Sequence, residues 1–295
     1  MIIVHYTFTD NAGKKTKDKI KLKNLEIVKH IIVAGSGSVP SIRFLKKAVG
    51  VLLFYEDYFP QFGQTLPFFP EPKNIWAYDP TSKAQFSNLV GKTMASIFFE
   101  RCCSGLITFN YEAVMKQHGI PIKGQRPDLY GISRSCEYYA IEAKGFTTVT
   151  GKRQKHKQQA NSGKLYKDYS IASVTENIYS NINVDFYDPI SDKIFDKPSI
   201  EDFVENYYNI ITDDLNSNIK ELRSFKKYGK DYIIITEFKF KGELLYLAVD
   251  SIISQGMNFS SLLEMERIVD EHCVIGKDGI GIFFAKEVEN KIKIN

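Results

Sequence analysis

Apolar residues at every second position mark strands, and at every third or fourth position they mark helices. By that measure residues 2–8 (I-I-V-H-Y-T-F) predict a strand and 10–13 (D-N-A-G) a turn. The return over 14–23, with Ile20 and Leu22 alternating against lysines, predicts a second strand. This hairpin has a wet, basic face, and a charged edge that discourages aggregation explains it at least as well as a nucleic-acid contact. Within 41–58, Leu45, Val49, Leu52 and Leu53 fall at helical steps. Residues 59–80, rich in proline and aromatics, read as a long irregular connection, with Tyr58, Phe62, Phe68 and Trp76 packing on the core or lining a cleft. Over 83–104 the recurrence of Phe86, Leu89, Val90, Met94, Ile97 and Phe98 predicts an amphipathic helix. Residues 106–118 predict another short element, helical through Tyr111, Val114 and Met115.

The pattern sharpens at Arg126-Pro127-Asp128-Leu129-Tyr130-Gly131-Ile132, a short polar turn, and then Tyr138-Tyr139-Ala140-Ile141-Glu142-Ala143-Lys144-Gly145. These two runs predict a β-hairpin. On the second strand Tyr138, Ala140, Glu142 and Lys144 share one face. Antiparallel pairing brings Asp128, at the start of the first strand, towards Glu142. Downstream, 169–177 and 183–188 predict strands, 199–225 a helix, 232–240 and 244–249 a hairpin, 257–269 a helix and 280–286 a last strand. Asp185 and Asp188 read as acidic strand ends and not as metal ligands. The whole predicts an α/β chain of the mixed α+β kind, with a central mixed sheet flanked by helices. Three regions are expected: 1–82, β-rich with a long loop; 83–190, the core; and 191–295, an α+β region for recognition, packing or dimerisation.

Two carboxylates and a lysine at one point suit a particular chemistry. Carboxylate oxygens bind a hard divalent cation such as Mg²⁺, which keeps several waters and also takes phosphate oxygens. Such a metal polarises a phosphoryl oxygen and acidifies a bound water, while a neighbouring lysine orients that water or stabilises developing charge. The predicted reaction is attack of water on a phosphodiester. Pro127-Asp128 followed by Glu142-Ala143-Lys144 resembles the signature of the PD-(D/E)xK nuclease superfamily, the restriction-endonuclease-like fold. The resemblance covers about a third of the chain, and the fourteen-residue step from Asp128 to Glu142 suits that family's hairpin. It implies Mg²⁺ (with Mn²⁺ as substitute) on Asp128, Glu142 and the main-chain carbonyl of Ala143, with Lys144 assisting the attacking water. It also implies a possible acidic contributor from the preceding helix. Glu100 stands at that place, where an ordinary helix-end glutamate or a partner for Arg101 is the competing reading.

Composition narrows the setting. The net charge of +4 is too mild to argue for nucleic acid by itself. Its distribution says more: between Glu142 and Asp168 there is no acidic residue, while Lys144, Lys152, Arg153, Lys155, Lys157, Lys164 and Lys167 fall in that span. Lys152, Arg153, Lys155 and Lys157, with Gln158 and Gln159 among them, predict a DNA-facing helix, against the alternative of a solvated helix face. Gly35-Ser36-Gly37-Ser38 and Gly91-Lys92-Thr93 both lack the glycine spacing of a phosphate-binding loop. The four cysteines, Cys102, Cys103, Cys136 and Cys273, form no metal-ligand spacing and read as free thiols of a cytoplasmic protein. No signal peptide, membrane span or membrane partner is expected.

The reading is therefore a Mg²⁺-dependent DNA endonuclease, with the resemblance adding a restriction or phage-defence setting. Two alternatives remain: a nuclease-fold binding subunit of a larger complex without its own turnover, and an RNA-directed nuclease. Cutting both strands of a duplex requires two active sites, so a homodimer or a partner subunit fits the enzyme reading.

Overall fold

Strict alternation at Ile2 and Val4, both buried, and lysines at every other position of the return strand build the first two strands as the pattern dictates. The computed structural model describes residues 1–10, 12–35, 40–72, 79–151, 153–187, 197–218 and 222–294. In chain order these hold β1 (Ile2–Thr9), β2 (Lys15–Leu22), α1 (Asn24–Val33), α2 (Ile42–Phe54), α3 (Pro80–Cys102), β3 (Gly105–Asn110) and α4 (Tyr111–Gln117). Then come β4 (Leu129–Ser133), β5 (Tyr138–Gly145), α5 (Arg153–Asn161), β6 (Tyr169–Glu176), β7 (Asn183–Tyr187) and α6 (Ile200–Asn218). The chain continues with β8 (Arg223–Lys227), β9 (Lys230–Phe240), β10 (Glu243–Asp250), α7 (Phe259–Leu263), β11 (Ile268–Val269), β12 (Cys273–Ile275), β13 (Ile280–Phe284) and β14 (Lys293–Ile294). The class is mixed α+β.

The chain divides into two units, Met1–Gly37 with Asp57–Pro198, and Ser38–Glu56 with Ser199–Asn295. This division falls at other places than the expected boundaries at 82 and 190. β1 and β2 are strands of the same sheet as the hairpin, because β1 pairs in parallel with β7 while β2 covers its other edge. Residues 38–56, with α2, go instead with the C-terminal strands.

The first unit is built on a seven-stranded sheet in the order β2-β1-β7-β6-β5-β4-β3. The β1–β7 and β5–β6 pairs are parallel and the others antiparallel. Helix α3 lies on one face. A Cβ placed on Gly145 would stand 1.7 Å from the Ser87 carbonyl oxygen, and one on Gly91 would stand 2.5 Å from the Gly145 nitrogen. The two glycines thus let helix and strand backbones touch. Further along, the Phe99 ring packs edge-on against Tyr139. Helix α5, the crossover between the parallel strands β5 and β6, lies on the opposite face, where His156 meets Phe146.

Several elements depart from the pattern, among them β8, which begins at Arg223 inside the span 199–225 expected as one helix. Helix α1 was not legible because all ten of its residues are buried, including Glu26, Lys29 and His30, so it shows no polar face. The helix expected through Tyr111, Val114 and Met115 is α4, but residues 105–110 before it form strand β3, whose Gly105 to Phe109 are all buried and so show no period. The helix expected over 257–269 shrinks to α7, Phe259–Leu263.

The second unit is a seven-stranded antiparallel sheet in the order β11-β12-β13-β10-β9-β8-β14. One side carries a core with Phe225, Tyr232, Tyr246 and Phe283 at its centre. Helix α6 buries Phe203, Val204, Tyr207, Tyr208, Ile211 and Leu215 at helical spacing, and its Tyr208 hydroxyl donates to the Asp278 carbonyl over 2.8 Å. Among the described residues no helix is long and apolar enough to cross a membrane. Trp76, Lys152, Asp188 and the Ser36–Ser38 loop lie outside the described residues.

Candidate active site

The β4–β5 hairpin fixes the site by register. Leu129 pairs with Ile141 and Ile132 with Tyr138. The Asp128 N–H donates to the Ile141 carbonyl over 3.1 Å, which sets Asp128 opposite Glu142, one residue before the start of β4. On its other side the Asp128 carbonyl accepts from the Tyr111 N–H at the start of α4, 3.1 Å away. Cross-strand neighbours point to the same face, so Asp128, Glu142 and Lys144 meet. Asp128 Oδ2 accepts from the Ala143 N–H at 3.0 Å and from Lys144 Nζ at 3.1 Å. Lys144 Nζ also stands 2.5 Å from Glu142 Oε1.

The three groups are unequally buried. Glu142 is fully enclosed, while the Asp128 and Lys144 side chains are each 25% exposed. Apart from the ion pair with Lys144, neither Glu142 oxygen takes a hydrogen bond of proper geometry. Burial pushes the Glu142 carboxyl up to about 8, the facing Asp128 charge pushes the same way, and the Lys144 ammonium pulls only partly back. Burial pulls Lys144 down, but the Asp128 and Glu142 charges outweigh it and leave its pKa raised. At neutral pH Lys144 is therefore a cation that donates hydrogen bonds, not a free base.

A hollow of about 380 Å³ opens at Asp128. Lys92 lines it from α3, Glu112 from α4 and Gln159 from α5, with residues 124–127 leading into the strand. Arg126 is held by Glu112 through Nε at 2.7 Å and through a second contact from Nη2, and its Nη1 donates to the Gly124 carbonyl over 2.9 Å. Gln159 Nε2 donates to the Arg126 carbonyl over 3.0 Å, tying α5 to the strand that delivers Asp128. Lys92, Glu112 and Arg126 carried no role in the sequence pattern. The one available signal was Gly91 inside a helical run, which marks a close backbone approach and so locates Lys92 beside it near the strand ends.

The remaining expected residues divide sharply. Glu100 does not join Asp128 and Glu142. Its Oε2 lies 3.4 Å from His30 Nε2 on α1, because α3 packs on the sheet face opposite the one that carries Glu142. Lys157 is not a phosphate contact. It is 7% exposed, and its ammonium donates to the Ser170 hydroxyl at 2.7 Å and to the Ser170 carbonyl, so it anchors α5 to β6. Arg153 pairs with Asp185, Nε to Oδ2, at 2.5 Å. Lys155 and Gln158 are exposed on α5, and Gln159 is turned into the hollow. Lys152 lies outside the described residues.

Among the described residues no group of three or more His, Cys, Asp and Glu side chains gathers as a metal cage. Two carboxylates with water completing the shell are what Mg²⁺ accepts, and the two buried oxygens of Glu142 lacking directed hydrogen bonds fit that donor set. The chain matches no family model, no curated protein and no solved structure.

Proposed function

We propose that this chain is a Mg²⁺-dependent nuclease with a restriction-endonuclease-like core that hydrolyses phosphodiester bonds in DNA. The observation that carries this reading is the meeting of Asp128, Glu142 and Lys144 at one strand end beside an open hollow. Asp128, Glu142 and the Ala143 carbonyl are the residues that would hold the metal. The Ala143 N–H points at Asp128, and in a strand a residue's C=O points to the same side as its N–H. Bound there, Mg²⁺ would polarise the scissile phosphoryl oxygen and lower the pKa of its water. Lys144, kept protonated by its two acidic neighbours, would donate to the attacking water or to the charge that builds on the phosphate. Arg126 and Lys92 at the hollow, with Lys155 and Gln158 on the exposed side of α5, would take backbone phosphates.

The test is nicking of supercoiled plasmid with Mg²⁺, with Mn²⁺ and with chelator, run beside matched RNA. Cleavage that needs the metal and falls by about a hundredfold or more in Asp128→Ala and Lys144→Ala, with DNA binding retained, is the expected result. Full activity in Asp128→Ala overturns the assignment, and activity on RNA alone moves the substrate from DNA to RNA.

A further inference from the structure

The sheet face that carries Glu142 and Lys144 does not end at α5. Lys144 pairs with Val174 on β6, Val174 with Asp185 on β7, Asp185 with Thr7 on β1, and Thr7 with Lys17 on β2. Partners in register share a face, so these side chains form one row. Adjacent strands lie about 4.8 Å apart, which puts Asp185 about 10 Å from Lys144 across the sheet. Beyond α5 this face sinks into a second hollow, of about 640 Å³, within the size range of small-ligand sites.

Its lining carries both signs of charge, with Lys17, Lys19 and Arg153 against Asp18, Glu176 and Asp185. On the floor Asp185 is only 8% exposed; its Oδ2 is taken by Arg153, and its Oδ1 is buried with no hydrogen-bond partner. Glu176, also on the wall, is already engaged: its Oε1 accepts from the Thr150 N–H at 2.8 Å and from the Thr150 hydroxyl at 3.2 Å. At the rim stand exposed Lys17 and Lys19. The half-buried His5 ring and Val149, 66% exposed, supply flat and apolar surface. The hollow thus holds a buried acceptor with no hydrogen-bond partner among the described residues and two exposed lysines, with Asp18 between them in sequence. A nucleotide unit has both complements, a phosphate at one end and base N–H groups at the other.

We propose that this hollow seats one nucleotide unit, its phosphate on Lys17 and Lys19 and a base N–H on Asp185 Oδ1. The inference rests on the nuclease reading for its choice of a nucleic-acid ligand, and it adds a base-sensing subsite on the same face as the reaction centre. Burial also lifts the Asp185 carboxyl above its ordinary range, with Arg153 and Lys15 opposing and Glu176 reinforcing. A donor to Oδ1 would relieve that cost.

The experiment is calorimetric titration of the full chain in metal-free buffer with nucleoside 5′-monophosphates, ribose 5-phosphate, inorganic phosphate and a short single strand. Plasmid cleavage is assayed in parallel. We expect the mononucleotide or the strand to bind about tenfold or more tighter than ribose 5-phosphate. K17E/K19E should weaken binding of all ligands, and D185A should erase the advantage that the base confers. Response to free mononucleotide identifies a free ligand, and response to the strand alone identifies the substrate polymer; either supports the seat. Binding that is absent, or equal for ribose 5-phosphate and nucleotide, or indifferent to K17E/K19E, overturns it. Because K17E/K19E alters only an exposed edge strand, the test survives a D185A protein that fails to fold. A wild type that cleaves metal-dependently yet shows no such binding sinks this inference and leaves the nuclease reading standing; a wild type that never cleaves sinks the latter.

Discussion

At Glu142 burial and charge pull against the ionised form that a metal needs. Its carboxyl, raised to about 8, keeps a proton in the folded protein that the unfolded chain gives up near its ordinary value of 4.5. The folded state then binds more protons than the unfolded one, so stability falls as pH rises through that window. In chelator, thermal unfolding should show a melting temperature that declines from pH 4.5 to about 8, and Glu142→Gln should flatten this slope. At pH 8 Mg²⁺ should restore stability to the wild type, by about 2.7 kcal/mol at a hundredfold excess over Kd, and not to Glu142→Gln. A wild type unmoved by Mg²⁺ in this assay would argue that nothing binds there. The three central residues were legible because they depend on local facts alone, a period of two and a short turn. Glu100 and Lys157 were not. Which face of the sheet a helix covers decides whether its charged residues meet the site, the core or the solvent, and no helical period encodes that.

Among the elements, α5 carries two kinds of lysine that the sequence cannot tell apart. Lys157→Ala should cost about 1–3 kcal/mol, because it removes the two hydrogen bonds to Ser170 that tie α5 to β6, and should leave DNA affinity at low salt nearly unchanged. Lys155→Glu should do the reverse, weakening binding and lowering its salt dependence while the melting temperature holds. Equal effects of the two substitutions on affinity would contradict the burial of Lys157. The crossing of α3 on β5 makes a second demand. Gly145→Ala drives a methyl into the Ser87 carbonyl, so helix or strand must shift. We expect a loss of about 3 kcal/mol together with lost cleavage, since Lys144 is the preceding residue. Urea unfolding and the plasmid assay read both outcomes on one preparation.

For the whole molecule, the division into units runs against chain order. Residues 38–56 leave the first unit and belong to the second, and α2 buries Leu45, Val49 and Leu52 there. A fragment ending at Pro198 therefore carries an α2 without the strands of its own unit. That fragment should aggregate in size-exclusion chromatography, and polar replacements at Leu45, Val49 and Leu52 should return it to a monomer. The mixed class was legible from alternating helical and strand periods. The units were not, because β1 finds its parallel partner in β7 across nearly the whole first unit, and pairing at that separation leaves no local mark.

That same parallel pair bears on how the protein is made. Residues 2–9 leave the ribosome well before the strand beside which β1 lies in parallel, which ends at Tyr187. The β4–β5 hairpin can close as soon as it emerges, whereas the first sheet must wait for β7. Until then one edge of β1 is open, and pairing over so long a stretch is slow. The lysine-studded β2, already zipped to the other edge, is positioned to discourage misassociation of the nascent chain during that delay.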